Sequence, residues 1–197
     1  HALISENLKK GDKVSILSET RLEWVVIDMA IMGIGCITAP VYASNTEDQV
    51  KYIIEHSESK IVFAEDQEQL DKLLVIWDDL PALKKIVVMD KYIPDDLPNV
   101  LSIEKFRELG VSHRSNHIGV FEDKLQSVSP DDIISFTYTS GTTGNPKAGM
   151  FNSTNVISVA KNLPDLLPTY RTDLGISYLP LSHIAERLLG HFIKLYS

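Results

Sequence analysis

This sequence has only one cysteine, no long apolar run and no excess of basic residues. Its single cysteine, Cys36, excludes an intrachain disulfide and therefore a fold held together by disulfides. Cys36 lies in the apolar segment IMGIGCITAP, so we interpret it as a small buried side chain in a protein of a reducing compartment. No stretch of about 18 apolar residues is present, so no transmembrane helix is predicted. The N-terminus also lacks the pattern of a signal peptide.

The scarcity of basic residues argues against nucleic acid as a partner. Lys and Arg number 19 against 27 for Asp and Glu, a net charge of -8, whereas proteins that bind a phosphate backbone present basic faces. A small phosphate ligand stays compatible with this charge, because backbone N–H groups can bind it. The length of 197 residues and the apolar fraction of 44% are those of a soluble globular protein with a sizeable core.

The first half of the chain alternates between strand and helix patterns. β-branched runs predict strands at 14–17, 37–41, 60–64 and 85–89. Capping boxes at 20–23 and 46–49 predict helices over 22–32 and from 47 onward. Stop signals predict helices over 66–79 and over 102–109, with Gly110 as the cap of the latter. Strands of this kind alternating with helices imply a parallel sheet covered on both faces. We therefore predict an α/β fold in which parallel-sheet layers are flanked by helices.

The second part of the chain is predicted to begin a new α/β portion. Residues 111–130 are polar and are interpreted as a connection, and the proline-containing segment 91–99 as a surface loop. We predict an N-terminal α/β subdomain over 1–128 and the start of a second, incomplete portion over 129–197. The latter is predicted to contain strands at 133–139, 148–151 and 174–179, a helix from Ser153 or Thr154, and another after Ser182 or His183.

The segment between the first two strands of this second portion reads YTSGTTGNPK and has the composition of a phosphate-binding loop. Gly141 and Gly144 allow the backbone to approach a ligand closely, while hydroxyl and N–H groups can donate to phosphate oxygens and Lys147 adds a positive charge. A Walker A loop is excluded, because two residues separate the glycines instead of four and Ala148 follows the lysine. A plain turn between two strands is the simpler alternative.

YTSGTTGNPK resembles the phosphate-loop motif of the adenylate-forming superfamily, which includes acyl- and aryl-CoA synthetases, luciferases and adenylation domains. The glycine that usually follows Pro-Lys stands one residue later here, at Gly149. Residues 177–187, SYLPLSHIAER, are similar to the family's next core motif, in the form typical of long-chain fatty acyl-CoA ligases. Residues 11–46 resemble its opening βαβ segment. Because the chain starts at His1 and ends within a helical pattern, we expect an N-terminal fragment, part of the large N-terminal domain of such a ligase.

The resemblance implies an AMP-forming ligase that uses ATP with Mg²⁺, a long-chain fatty acid, and CoA as co-substrate. It places the ATP phosphates on Thr139, Ser140, Gly141, Thr142, Thr143, Gly144 and Lys147. It places His183, the candidate catalytic residue, beside the acyl carboxylate, and it leaves Glu186 and Arg187 either in an outer supporting position or paired with each other. No metal-ligand spacing occurs, so Mg²⁺ is expected to arrive with ATP.

Several further expectations and alternatives accompany this assignment. The fragment lacks the family's later motifs, so we expect it to be inactive alone and to self-associate through exposed core faces. The full-length enzyme is expected in the cytoplasm, with peripheral membrane association as an option. The alternative functions are adenylation of an aryl, short-chain or amino acid, and a non-catalytic module that binds a nucleotide or a partner.

Overall fold

A mixed sheet organises the part of the chain that the structure, a computed structural model, describes: residues 1–90, 97–139, 145–163, 170 and 172–196. Its seven strands follow the order β5-β4-β3-β1-β2-β6-β7. They are β1 Lys13–Leu17, β2 Ile37–Val41, β3 Ile61–Ala64, β4 Lys85–Val88, β5 Val100–Ser102, β6 Ile133–Thr139 and β7 Lys147–Asn152. Neighbouring strands are parallel except β6 and β7, which are antiparallel.

Helices connect the strands and cover the sheet. They are α1 Ala2–Ser5, α2 Leu22–Gly33, α3 Glu47–Ser57, α4 Gln67–Val75, α5 Ile103–Asn116, α6 Val120–Gln126 and α7 Ser153–Asn162. The last described helix begins as α8, Ile184–Glu186, continues as a π-helical segment, Arg187–Phe192, and ends as α9, Ile193–Tyr196. Among the described helices, none is both long enough and apolar enough to cross a bilayer.

The alternating side chains of strand β3 show that the middle of the sheet is buried on both faces. Ile61 and Phe63 join a core cluster that includes residues of α1, α2 and α5. Val62 and Ala64 join a second cluster, built with residues of α3 and α4 on the opposite face. Successive strand residues point to opposite faces, so a strand buried along its whole length requires cover on both sides. The predicted α/β fold is thereby confirmed.

Helix α5 is longer than predicted, and the reason lies in Gly110. The helix continues to Asn116 instead of ending at Leu109. A Cβ at position 110 would lie 2.9 Å from the backbone nitrogen of Ala2, so the glycine permits close packing of α5 on α1 and does not cap the helix. The predicted connection at 111–130 therefore contains the end of α5 and the short helix α6.

Other boundaries also differ from the prediction. No strand forms over 174–179, where Leu174 and Ile176 are 101% and 86% exposed. An apolar run becomes a strand only beside a hydrogen-bonded neighbour, and none of the described strands pairs with these residues. The short edge strand β5 was not predicted, and residues 91–96 of the predicted surface loop lie outside the described residues.

Strands β6 and β7 extend the sheet formed by the first five strands. Strand β6 lies parallel to β2, with Ser135 opposite Thr38. The predicted division of the chain into portions 1–128 and 129–197 stays a prediction, since both portions contribute strands to this sheet.

Candidate functional site

A cleft of about 390 Å³ opens where strands β2 and β6 end. We name it the β2–β6 cleft. Ligands in α/β sheets bind beyond the carboxyl ends of parallel strands, so this position is typical of a binding site. Ten residues from five parts of the chain line it: Tyr42, Asn45, Gln49, Ile53, Thr137, Tyr138, Thr139, Pro146, His183 and Ile184.

One described end of the predicted phosphate loop lines this cleft, and the other lies next to it. Thr139 is the exposed last residue of β6 and lines the cleft. Lys147 is the exposed first residue of β7, and it pairs with Thr139 in the antiparallel register. Lys147 itself is absent from the cleft lining, although its neighbour Pro146 belongs to it. The predicted residues Ser140, Gly141, Thr142, Thr143 and Gly144 lie outside the described residues.

The displaced glycine does not disturb strand β7. Gly149 lies opposite Thr137 and Ala148 opposite Tyr138, in continuous register with the pair that begins the strand. A Cβ on Gly149 would meet the Phe151 ring and the Thr137 carbonyl oxygen at 3.6 Å, which is ordinary contact. The strand therefore keeps its regular pairing at this end, and its register shift lies at the far end, between Ile133 and Ser135.

His183 combines a structural hydrogen bond with an exposed position in the cleft wall. It is the N-cap of α8, and its Nδ1 accepts a hydrogen bond of 3.1 Å from the Ala185 N–H. An imidazole nitrogen that accepts carries no proton, so the neutral ring carries its proton on Nε2. The free side of the ring can then donate to an oxygen of a ligand in the β2–β6 cleft.

The segment before His183 is tied to the start of helix α2 through Thr20. A capping box was predicted at 20–23, but this is wrong, because the N-cap of α2 is Arg21 and no side chain caps the helix. The Thr20 hydroxyl instead donates to the Leu179 carbonyl at 2.8 Å and accepts from the Leu181 N–H at 2.9 Å. Its hydrogen-bonding capacity is therefore used by a segment about 160 positions along the chain.

Strand β2 holds the same segment from its carboxyl end. Ser182, a buried residue next to His183, donates through Oγ to the Val41 carbonyl at 3.2 Å. Leu181 is buried in the core cluster on the α2 face. Leu181 and Ser182 are thus anchored just before His183, and the exposed histidine is presented to the cleft.

A buried ion pair beneath the cleft joins the last helix to α2. Nη2 of Arg187 lies 2.7 Å from Oδ1 and 2.8 Å from Oδ2 of Asp28, and the two side chains are 1% and 0% exposed. Asp28 also accepts from the Thr38 hydroxyl at 2.6 Å, and the guanidinium donates to the Ser135 hydroxyl. Such charge-assisted bonds are short and strongly directional, so they fix the start of the π-helical segment against α2, β2 and β6.

Glu186 has a different partner from the one suggested by the sequence. The suggested pairing of Glu186 with Arg187 is wrong, because the carboxylate partner of Arg187 is Asp28. Glu186 is buried and its Oε1 accepts from the Ser177 hydroxyl at 2.6 Å. A Cβ at Gly190 would clash with this carboxylate, so the glycine in the π-helical segment makes room for it.

Thr137 is a cleft residue that the sequence analysis missed. Its side chain is buried and lines the cleft, and its Oγ1 has no hydrogen-bond partner among the described residues. Buried hydroxyls are normally hydrogen-bonded, so Thr137 is an exception in the wall of the cleft. A threonine inside a strand is common, and the sequence offered no means of distinguishing this one.

Within the described ranges, no group of three or more His, Cys, Asp or Glu side chains is arranged to hold a metal ion. The polar groups of the cleft are hydroxyls, amides and an imidazole. They are suited to hydrogen-bonding anionic oxygens such as those of phosphate and carboxylate groups.

Comparisons with known proteins agree with this arrangement. The family model described as AMP-binding enzyme matches residues 1–197. The long-chain-fatty-acid–CoA ligase FadD15 of Mycobacterium bovis is 31% identical over 190 residues, which cover 95% of this chain and 30% of that protein. The human long-chain-fatty-acid–CoA ligase ACSBG1 is 32% identical over 185 residues, or 92% of this chain and 25% of that protein. The chain thus spans less than a third of these relatives.

Solved structures share the fold at lower identity. The anthranilate CoA ligase AuaEII, in complex with anthranoyl-AMP, superposes with a TM-score of 0.81 at 20% identity, over 99% of this chain and 35% of that one. ATP-bound MatB from Rhodopseudomonas palustris superposes with a TM-score of 0.71 at 23% identity, over 98% of this chain and 35% of that one. The family match confirms the resemblance carried by YTSGTTGNPK and SYLPLSHIAER. The chain belongs to the AMP-binding, adenylate-forming enzyme family, and the curated relatives named above are long-chain-fatty-acid–CoA ligases.

Proposed function

We propose that the protein containing this chain activates a long-chain fatty acid with ATP. The carboxylate attacks the α-phosphorus, pyrophosphate leaves, and the acyl-adenylate then transfers its acyl group to the CoA thiol with release of AMP. The observation that carries the proposal is the β2–β6 cleft, where Thr137, Thr139 and His183 line one space. The names of the two curated relatives support the choice of acid.

The residues around the cleft would act by positioning and charge neutralisation. Thr139 and Lys147, together with the predicted loop residues Ser140, Gly141, Thr142, Thr143 and Gly144, would donate to the β- and γ-phosphate oxygens. Such donors stabilise the negative charge that develops on departing pyrophosphate. Nε2–H of His183 would donate to one carboxylate oxygen of the acid and so orient the other toward the phosphorus.

The cleft fits ATP better than it fits a metal ion alone. Its hydroxyl and amide groups suit phosphate oxygens, whereas carboxylates, the usual protein ligands of Mg²⁺, do not line it. We propose that Mg²⁺ is held largely by the ATP phosphates and neutralises their charge. Because the chain spans only 30% and 25% of the two relatives, we propose that activity also requires the segments those proteins have in addition.

The acid preference is tested with the complete gene product. ATP–pyrophosphate exchange is measured with palmitate, acetate, benzoate and leucine as separate substrates. We expect the largest stimulation with palmitate, as the relatives' names suggest. Stimulation by only one of the other acids would refute the fatty-acid assignment. ATP binding in calorimetry without exchange for any acid would favour a non-catalytic nucleotide-binding module.

Location and division of the chain are also proposals. We propose that the full-length enzyme is cytoplasmic and associates peripherally with membranes, since its substrate would be a membrane-soluble acid. We propose further that the portion 129–197 begins a second α/β portion, completed by later residues. Both follow from the family assignment and from the order of the motifs.

The isolated 197-residue chain is expected to self-associate through an apolar groove of about 600 Å³ between α2, α6, α7 and the last helix. Leu125 and Ile157, both in its wall, are 50% and 51% exposed, and contiguous apolar surface of this kind promotes association. Size-exclusion chromatography with light scattering should show oligomers whose mass rises with concentration. The variant Ile157→Lys should reduce this self-association. A wild-type chain that stays monomeric at every concentration would contradict the expectation.

A further inference from the structure

Helix α3 contacts both chain segments that meet at the cleft. Oη of Tyr52 donates to the Pro146 carbonyl at 3.0 Å. One turn further along, Nδ1 of His56 lies 3.0 Å from Oη of Tyr138. Pro146 immediately precedes Lys147, and Tyr138 immediately precedes Thr139. The helix is therefore linked to the residue before each of the two described phosphate-loop ends.

The three rings of this contact lie in a continuous row. Tyr52 and His56 are stacked, with ring centroids 5.5 Å apart and an interplanar angle of 30°. His56 meets Tyr138 edge to face, at 5.7 Å and 81°. Residues four apart on a helix share a face, which is why one side of α3 presents both rings. Burial raises the pKa of Tyr138 to about 12.

Helix α3 is itself firmly held. A capping box closes its first turn, with the Thr46 N–H donating to Gln49 at 3.0 Å and the Gln49 N–H donating back to Thr46 at 3.5 Å. Val50, Ile53 and Ile54 are buried in the core cluster on that face of the sheet. Groups attached to such a helix are fixed relative to the sheet, since core side chains are closely packed.

We propose that Tyr52 and His56 are positioning residues that hold Lys147 and Thr139 in place for the phosphates of ATP. Tyr52 acts through the Pro146 carbonyl and His56 through the Tyr138 hydroxyl, and neither side chain touches the phosphates. The proposal rests on the function proposed above. The positioning role has a specific consequence: loss of either contact weakens the affinity for ATP and leaves the affinity for the acid unchanged.

The experiment uses Tyr52→Phe in the complete gene product. Phenylalanine keeps the ring and its stacking on His56 but removes the hydroxyl that bonds Pro146. ATP affinity is measured by calorimetry, the KM values for ATP and palmitate by steady-state kinetics, and the midpoint of thermal unfolding by calorimetric scanning. Loss of one hydrogen bond should raise the Kd for ATP about threefold to tenfold. The KM for palmitate and the unfolding midpoint should stay at the wild-type values.

Three companion variants sharpen the comparison. Tyr196→Phe removes a hydroxyl from an exposed tyrosine of α9 and should leave every value unchanged. His56→Ala should weaken ATP binding, and His56→Asn should restore much of it, since the asparagine amide can again bond the Tyr138 hydroxyl. Failure of His56→Asn to exceed His56→Ala would count against the contact with Tyr138.

The outcomes separate this proposal from the proposed function. An unchanged Kd for ATP in Tyr52→Phe overturns the positioning role. Equal weakening toward ATP and palmitate, with a lower unfolding midpoint, also overturns it, because that is the signature of a purely structural contact. If the wild-type protein binds ATP but exchanges no pyrophosphate, the proposed function falls and the positioning role is still judged by the Kd. A wild-type protein that binds no ATP overturns both.

Discussion

Asp28→Asn should lower the free energy of unfolding by about 3–5 kcal/mol, the usual loss when one member of a buried ion pair is removed. The asparagine keeps a similar shape but leaves the Arg187 guanidinium buried without a counter-charge. Both side chains are almost wholly inaccessible, at 0% and 1% exposed. Urea unfolding followed by circular dichroism measures the change. We expect a lower midpoint with an unaltered slope.

Two controls distinguish the buried charge from a general effect of mutation. Asp79→Asn breaks the surface ion pair between Asp79 and Lys51, which are 58% and 35% exposed respectively. It should produce no measurable change in the free energy of unfolding. The double variant Asp28→Leu with Arg187→Met removes both charges and should recover much of the lost stability, as apolar replacements of buried ion pairs commonly do. A single-variant loss no larger than the Asp79→Asn effect would contradict the central role of this pair.

Lys147→Ala should slow ATP–pyrophosphate exchange by about 10²-fold, the usual scale when one stabilising donor is removed from a charged transition state. Lys147 begins β7 opposite Thr139 at the edge of the cleft, so its ammonium group would lie near the departing pyrophosphate. Removing it withdraws a positive charge where negative charge accumulates. Exchange with saturating acid isolates this first half-reaction in the complete gene product.

Two other lysine variants test whether the exchange rate depends on both the charge and the position of the side chain. Lys147→Arg keeps the charge with a different shape and should retain intermediate activity. Lys161→Ala alters an exposed lysine of helix α7 and should leave the rate unchanged. Exchange at the wild-type rate in Lys147→Ala would remove this residue from the phosphate site while leaving the family assignment intact.

The repeating elements were predictable because their causes are local. Strand 133–139 was predicted with the bounds that the structure shows, and the Thr46 capping box forms as expected. β-branched runs and caps act over a few residues, so the sequence contains the information. The strand predicted at 174–179 failed because strand formation depends on a partner elsewhere in the chain. Gly110 was misjudged for a related reason, since its role depends on Ala2 of another helix.

In the candidate site, too, features with local causes were predictable and features that depend on distant contacts were not. The loop YTSGTTGNPK was predicted from its residues, because phosphate binding needs particular groups at short spacing, and His183 was predicted from the family resemblance of its motif. Their roles stay predictions. Thr137 was not found, and the partners of Thr20 and Arg187 were assigned wrongly. The contacts of Thr20 and Arg187 close over more than a hundred residues.

Residue order alone therefore established the class of fold, the order of most elements and the family to which the chain belongs. Only the folded chain established the β2–β6 cleft, because parallel strands far apart in sequence end at one edge of the sheet. It also decided that His183 faces that cleft while Arg187, four residues on, turns inward to Asp28. The physical reason is that local propensities act over a few residues, whereas burial and charge pairing act between whichever groups the completed fold brings into contact.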